Sequence, residues 1–243
     1  MIAYLDASAG VSGDMLLAAF LDAGLPPAAL KKILRPLGLD AVEIHARPVS
    51  RGGLRAYQVA VHAPFGRTIF APTAADFMRR IHSSRLEPTL KVRMIKTVKA
   101  LAQAEGFAHG TDWRQAHFHQ LSHVDTLVDI AGFCAGLIHF QIQTFYTSPI
   151  PIGNRSLDPH GRIDHKPGPA VVRLLRSLPV LRRAPAFEWT TPTGAALVAA
   201  WGVARPAPPF KITRIGQGVG CFVSPEGPKV LRLFLGEVAL DTR

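Results

Sequence analysis

The most chemically suggestive stretch of this chain is His117-Phe-His119-Gln-Leu-Ser-His123-Val-Asp125-Thr-Leu-Val-Asp129. If His117–Leu121 is extended, His117 and His119 point to one face, because strand side chains two apart do so. On a helix beginning at Val124, Asp125 and Asp129 are four apart and stack on one face. Two imidazoles and two carboxylates meeting at a strand-to-helix turn suit a divalent transition metal such as Ni, Zn or Mn. A plainer role fits the same residues: Ser122 and Asp125 match a capping box that starts the helix. Residue types and spacing leave both readings open.

A second constellation is Asp6-Ala-Ser-Ala-Gly10-Val-Ser12-Gly13-Asp14. Small residues between a strand and a helix let backbone N–H groups approach a phosphate at the helix N-terminus, which makes Gly10, Ser12 and Gly13 candidate anion contacts. The loop is neither a Walker A sequence nor a G-x-G-x-x-G. Its flanking acids would repel a bare phosphate, so a metal–phosphate pair suits it better. A tight turn with an acidic first helical turn explains it equally well. Thr190-Thr191-Pro192-Thr193-Gly194 is the third candidate, with Thr191, Thr193 and Gly194 offering donors to an anion. Its plainer reading is an N-cap at Thr191 followed by Pro at the first helical position. The alternating glycines of Ile215-Gly216-Gln-Gly218-Val-Gly220 mark a backbone that passes close to a ligand or bulges. Nucleophiles are scarce. No G-x-S-x-G occurs, Cys134 falls inside an apolar helix, and Cys221 has no neighbouring His, which argues against a covalent hydrolase.

The elements that must position these residues follow from periodicity. Ile2–Leu5 reads as a strand, and a helix from Asp14 to about Leu21 has Ser12 as its N-cap and Gly24 at its end. A second helix opens at Pro26/Pro27. Val42–Pro48 and Leu54–His62 alternate around Gly52-Gly53, a hairpin signature. Helices are expected over about 74–83, 88–105, 124–140, 170–177 and 193–201, and strands over 145–152, 210–215 and 230–238. Strands and helices do not alternate as repeated βαβ units require. The expected class is therefore α+β, a mixed sheet with several packed helices and no clean doubly wound pattern.

With 243 residues, 48% of them hydrophobic and 19% charged, the chain can bury a sizeable core and is not a disordered tail. Lys and Arg exceed Asp and Glu by 28 − 17 = 11, an excess that favours an anionic partner. Much of it lies in 73–104, where two solvated helix faces are the plain explanation. No aromatic-interleaved motif accompanies these cations, so nucleic acid is not the expected partner. Two cysteines, an acidic N-terminus and no ~20-residue apolar span predict a cytoplasmic protein without a membrane segment.

The order of motifs resembles the LarC family of nickel insertion proteins, which make the nickel-pincer nucleotide cofactor. The resemblance runs from Tyr4-Leu-Asp6 and Gly10-Val-Ser-Gly-Asp14-Met15 through His117-Phe-His119, Val124-Asp125 and Val128-Asp129-Ile130. It continues through Ser148–Gly153, His160-Gly161, Pro167–Ala170, Glu188, Thr191–Leu197, Gly216, Gly218 and Gly220 to Leu231-Arg232 and Phe234–Glu237. The resemblance implies a lyase-type nickel chelatase that delivers nickel, as substrate ion, into a pyridinium bis-thiocarboxylate mononucleotide in a CTP-dependent process. It adds His160 to His117, His119, Asp125 and Asp129 as metal ligands, and makes an anionic mononucleotide the ligand of the Gly10–Gly13 and Thr191–Gly194 turns. Where the family carries Glu after the His pair, this chain has Gln120, and His123 offers a third imidazole.

Residues 1–243 resemble only the N-terminal portion of longer members, as a single region with a weak internal boundary expected near 106–116. CTP, with Mn or Mg, is expected through the C-terminal domain of those members, supplied here by a separate partner chain. A non-catalytic nickel or cofactor carrier is the alternative expectation.

Overall fold

The computed structural model describes residues 1–63, 73–116, 118, 124–153, 156–157, 163–164, 167–183, 188–221 and 229–239. The chain begins with β1 (Ile2–Asp6), α1 (Gly13–Asp22) and α2 (Pro27–Leu34), followed by the hairpin β2 (Glu43–Arg51) and β3 (Leu54–His62). Next come α3 (Ala74–Ser83), α4 (Pro88–His109), α5 (Val124–His139), β4 (Thr144–Thr147) and β5 (Ile150–Ile152). Two-residue strands β6 (Ser156–Leu157) and β7 (Ile163–Asp164) precede α6 (Pro169–Leu175) and β8 (Val180–Arg182). The last elements are α7 (Pro192–Trp201), β9 (Gly202–Val203), β10 (Phe210–Val219) and β11 (Leu231–Val238).

Seven strands form one mixed sheet in the order β2-β3-β10-β11-β1-β4-β9. β1 lies near its middle, antiparallel to β11 and parallel to β4. Its alternation explains the placement: Ala3 and Leu5 are fully buried, level with Leu235 and Leu233 of β11, while Tyr4 and Asp6 face the other side with Phe234 and Arg232. The class is α+β, as expected.

The hairpin forms where the sequence signals it. Arg51 pairs with Leu54, and Gly52 and Gly53 both take positive φ (55° and 80°), the requirement of a two-residue turn that matches strand twist.

Helix α1 lies across β3, β10 and β11, and α5 packs on α1. Phe20 of α1 meets Phe133 of α5 edge to face at 5.5 Å between ring centroids, and Phe133 meets Phe145 of β4 at 5.4 Å. The alternating glycines of β10 serve this packing. A Cβ at Gly218 would stand 2.8 Å from Ala19 N, and one at Gly216 would stand 2.9 Å from the Ala19 carbonyl carbon. The close backbone approach anticipated there is therefore made to α1.

Two local expectations are revised. The single strand over 145–152 is two: β4 joins the large sheet, whereas β5 pairs with β8 in a separate two-stranded ladder. Pro149 has no N–H to continue a ladder, and Ser148 Oγ accepts from Ala7 N at 2.9 Å, so the chain changes partners there. Strand β10 also runs on to Val219, past the expected end at Ile215.

Several cations of the basic run have partners within the chain. Arg79 pairs with Asp76 at 2.8 Å, Arg80 Nε donates to Leu37 O at 2.6 Å, and Lys91 Nζ donates to His82 O at 2.9 Å. Arg93 and Lys96 lie over the Trp201 ring at 4.9 and 4.1 Å. Among the described residues no helix is long and apolar enough to cross a membrane.

Candidate functional site

The Gly10–Gly13 loop and the Thr191–Gly194 turn, separated by some 180 residues of chain, are bonded to each other. Val11 N donates to Trp189 O at 2.9 Å, and Thr191 N donates to Val11 O at 3.0 Å, forming a one-residue parallel bridge between Val11 and Thr190. Thr190 Oγ1 donates to Pro151 O at 2.7 Å, which ties the turn to β5. The approach is close enough that a Cβ at Gly194 would stand 2.9 Å from Ser12 Cα. Two loops nominated separately as anion contacts thus form one structural unit.

Within that unit the roles differ. Gly10, Gly13, Thr193 and Gly194 are buried and shape it from behind, while Ser12, Asp14 and Thr191 are half-buried. Thr191 caps α7 as expected, its Oγ1 accepting from Gly194 N at 3.2 Å, with Pro192 at the first helical position. Ser12 occupies the N-cap position of α1 but its side chain caps no backbone N–H. Its hydroxyl donates to Asp14 Oδ1, and the carboxylate rather than the hydroxyl accepts from Met15 N.

Asp14 is held on three sides. Besides Ser12, Met15 N donates to Oδ1 at 2.8 Å and Cys221 N donates to Oδ2 at 3.1 Å. The end of β10 is thereby bonded to the start of α1. Asp129 reaches the same place from α5. It is 7% exposed, and its carboxylate lies where a Gly13 side chain would be, since a Cβ there would stand 2.7 Å from Asp129 Cγ. Asp129 Oδ1 has no hydrogen-bond partner. Burial, reinforced by the charges of Asp14 and Asp125, pushes the Asp129 carboxyl well above the usual range. Asp125, one turn earlier, is exposed.

Cys221 belongs to this neighbourhood, which its sequence surroundings did not signal. Its thiol is raised by burial and by Asp14, Asp129 and Asp125, and Sγ lies 3.3 Å from Val59 O. Cys134, by contrast, is fully buried in α5 and pushed up to about 12. A buried carboxylate with an unpartnered oxygen, two neighbouring carboxylates and a thiol form an environment that a cation would neutralise. Among the described residues, no group of three or more His, Cys, Asp or Glu side chains is placed so that it could hold a metal ion. His117, His119 and His160, and the Ser122 of the alternative capping box, lie outside the described residues.

Two cations lie over Trp189, which precedes the second loop. Trp189, whose carbonyl receives Val11 N, is buried, with Lys229 Nζ 3.7 Å and Arg183 Cζ 5.0 Å from its ring centroid. Nothing in the linear sequence joins these three residues; the topology does.

Comparison with known proteins agrees with the order of motifs. The family model described as "Nickel insertion protein" matches residues 3–243. A Geotalea daltonii protein provisionally named as a nickel insertion protein is 38% identical over 98% of this chain and 61% of its own length. Proteins named pyridinium-3,5-bisthiocarboxylic acid mononucleotide nickel insertion protein are similar too. That of Desulfitobacterium hafniense DCB-2 is 37% identical over 98% of this chain and 58% of its own length. That of a Nocardioides species is 36% identical over 96% and 59%. The chain therefore spans about three-fifths of the length of these relatives. No solved structure matches.

Proposed function

The chain belongs to the nickel insertion protein family, and from that footing we propose that these residues receive nickel and present it to a pyridinium bis-thiocarboxylate mononucleotide. The observation that carries the reading is the Asp129 carboxylate, buried with an unpartnered oxygen on the backbone of the Gly10–Gly13 loop. Leaving such a group without a counter-charge is costly, and a divalent ion removes the cost.

In this reading nickel is substrate. Asp129 and Asp125 approach it from α5, and His117, His119 and His160 supply imidazoles, which nickel accepts readily. The mononucleotide is anionic. Its phosphate approaches the unit formed by Gly10, Ser12, Gly13, Thr191, Thr193 and Gly194, with Lys229 and Arg183 balancing its charge. The two sulfur arms then lie toward the carboxylate side, where the metal is. Sulfur is the softer donor, so nickel passes from oxygen and imidazole ligands to the thiocarboxylates. The sequence contains no Walker-type loop. CTP, with Mn or Mg, is accordingly assigned to a portion of the protein outside these residues, in the same or another chain.

Equilibrium dialysis of untagged protein against Ni²⁺, with and without the nickel-free mononucleotide, tests the proposal. We expect saturable nickel binding, weakened in His117→Ala/His119→Ala without unfolding, and nickel appearing in the nucleotide when CTP and the CTP-binding portion are added. Binding should fall as the pH drops to about 5, because imidazole must be neutral to ligate. Nickel binding with no transfer under any of these conditions would reduce the chain to a carrier. Unchanged stoichiometry in the double variant would remove the histidines from the site.

A further inference from the structure

Helix α4 ends at Gly110, which takes φ 66°, and Thr111 N donates back to Gly106 O at 2.9 Å. The chain then returns close against α4, where a Cβ at Gly106 would stand 2.9 Å from Trp113 Cα. Trp113 is thereby fixed beside a groove of about 640 Å³ that Arg173 and Arg176 of α6 also line. The small side chains of Ala100, Ala104 and Ala199 leave room within it. Both rings of the groove carry cations. Arg173 Cζ lies 4.5 Å from the Phe107 ring centroid, and Arg114 Cζ and Lys99 Nζ lie 4.6 and 5.7 Å from that of Trp113. Asp112, the one carboxylate among the described lining residues, is already paired with Arg114 at 3.3 Å. Among the described residues no carboxylate pairs with Lys99, Arg173 or Arg176. Phe107 is 62% exposed, so apolar surface adjoins these charges.

We propose that this groove docks an acidic segment of a partner protein, one that alternates carboxylates with apolar side chains. Charge complementarity decides the class: three cations without a carboxylate stand together beside the groove. A guanidinium held on a ring keeps its N–H edge free, and that fork matches a carboxylate. Holding it there in advance also lowers the side-chain entropy lost on pairing. The same cations occupy ring faces that unpaired bases would need, which disfavours a single-stranded nucleic acid. Carboxylates pair with Arg173 and Arg176, while an apolar side chain lies against Phe107 and the alanines. None of these residues belongs to the nickel or mononucleotide reading, so the docking surface stands apart from it.

Fluorescence anisotropy with a short fluorescein-labelled peptide alternating Glu and Leu tests the docking, with the same peptide carrying Gln for Glu as control. We expect saturable binding of the acidic peptide and binding of the control about tenfold weaker. Arg173→Glu/Arg176→Glu should weaken the acidic peptide about tenfold or more. Lys31→Glu/Lys32→Glu, at exposed positions of α2, changes the net charge equally and should leave affinity within about twofold. Carbodiimide coupling, which joins carboxylates to amines, should attach the peptide to Lys99 of the wild-type protein before other lysines. That result decides the matter if the α6 variant fails to fold. Absence of peptide binding, equal losses in the two double variants, or coupling spread evenly over the lysines would overturn the proposal. So would a thymidine oligonucleotide that displaces the peptide and itself loses affinity in the α6 variant, since the occupant would then be nucleic acid.

Discussion

The carboxylate of Asp129 occupies the space where a side chain at Gly13 would be. Glycine at that position thus serves the approach of α5 to the loop. A larger residue there meets the Asp129 carboxylate whether or not a ligand is bound. Gly13→Ala should lower stability by about 1–3 kcal/mol, as overpacking does, and weaken nickel binding together with it. For a chain of this size that is a fall in Tm of about 2–4 °C per kcal/mol, readable by thermal unfolding. An unchanged Tm would mean that Asp129 does not rest on Gly13.

Asp129 should also give metal-free protein an unusual pH dependence. Burial, with Asp14 and Asp125, raises its carboxyl, so the native state keeps a proton that the unfolded chain releases. The contribution is complete below the unfolded value of about 3.9 and is lost as pH rises towards the native value. Asp129→Asn removes this titration. The metal-free variant should melt above the wild type near pH 7, with the gap closing as pH falls to about 4. Saturating Ni²⁺ should raise the wild-type Tm and leave the variant nearly unmoved. Parallel Tm profiles for the two proteins would show that Asp129 carries no such penalty.

The Thr191 cap links helix stability to the loop it faces. Thr191→Ala loses the acceptor for Gly194 N and should cost about 0.5–2 kcal/mol. Since Thr191 N is bonded to Val11 O, hydrogen exchange should quicken at Val11 and Thr191 as well as in the first turn of α7. Faster exchange confined to α7 would mean that the two loops are not coupled.

The proposed site assigns Lys229, which lies over the Trp189 ring, to the mononucleotide rather than to the metal. Lys229→Met should lower affinity for the mononucleotide about tenfold, the scale of one lost charge-assisted contact, with Ni²⁺ affinity unchanged. Calorimetric titration with each ligand separately reads the two effects. Equal affinities for the mononucleotide in variant and wild type would move the phosphate away from Trp189 and its cations.

Much of this architecture was legible because local chemistry agreed with the global fold. The Gly52-Gly53 turn, the apolar strand over Ile2–Leu5 and the Thr191-Pro192 start of α7 each follow from residues within one element. Mixed class and helix positions follow in the same way. What could not be read depends on partners distant in the chain. Pro149 looked like part of a strand until β8 proved to be the partner of β5. Gly216 and Gly218 looked open to a ligand, but α1 fills the space. The pairing of Val11 with Thr190, the stack of Lys229 and Arg183 on Trp189, and the meeting of Cys221 with Asp14 are products of topology. Asp129 itself was legible as a candidate ligand from its spacing to Asp125; its burial and its unpartnered oxygen were not.

The central claim is that nickel is received at the junction of α1 and α5, against Asp129. Anomalous diffraction at the nickel K-edge, from crystals of the untagged protein grown with Ni²⁺, tests it most directly. We predict one dominant peak per chain within coordination distance of the Asp129 carboxylate, lost in crystals of Asp129→Asn. A dominant peak elsewhere, or one that persists undiminished in that variant, would contradict the account.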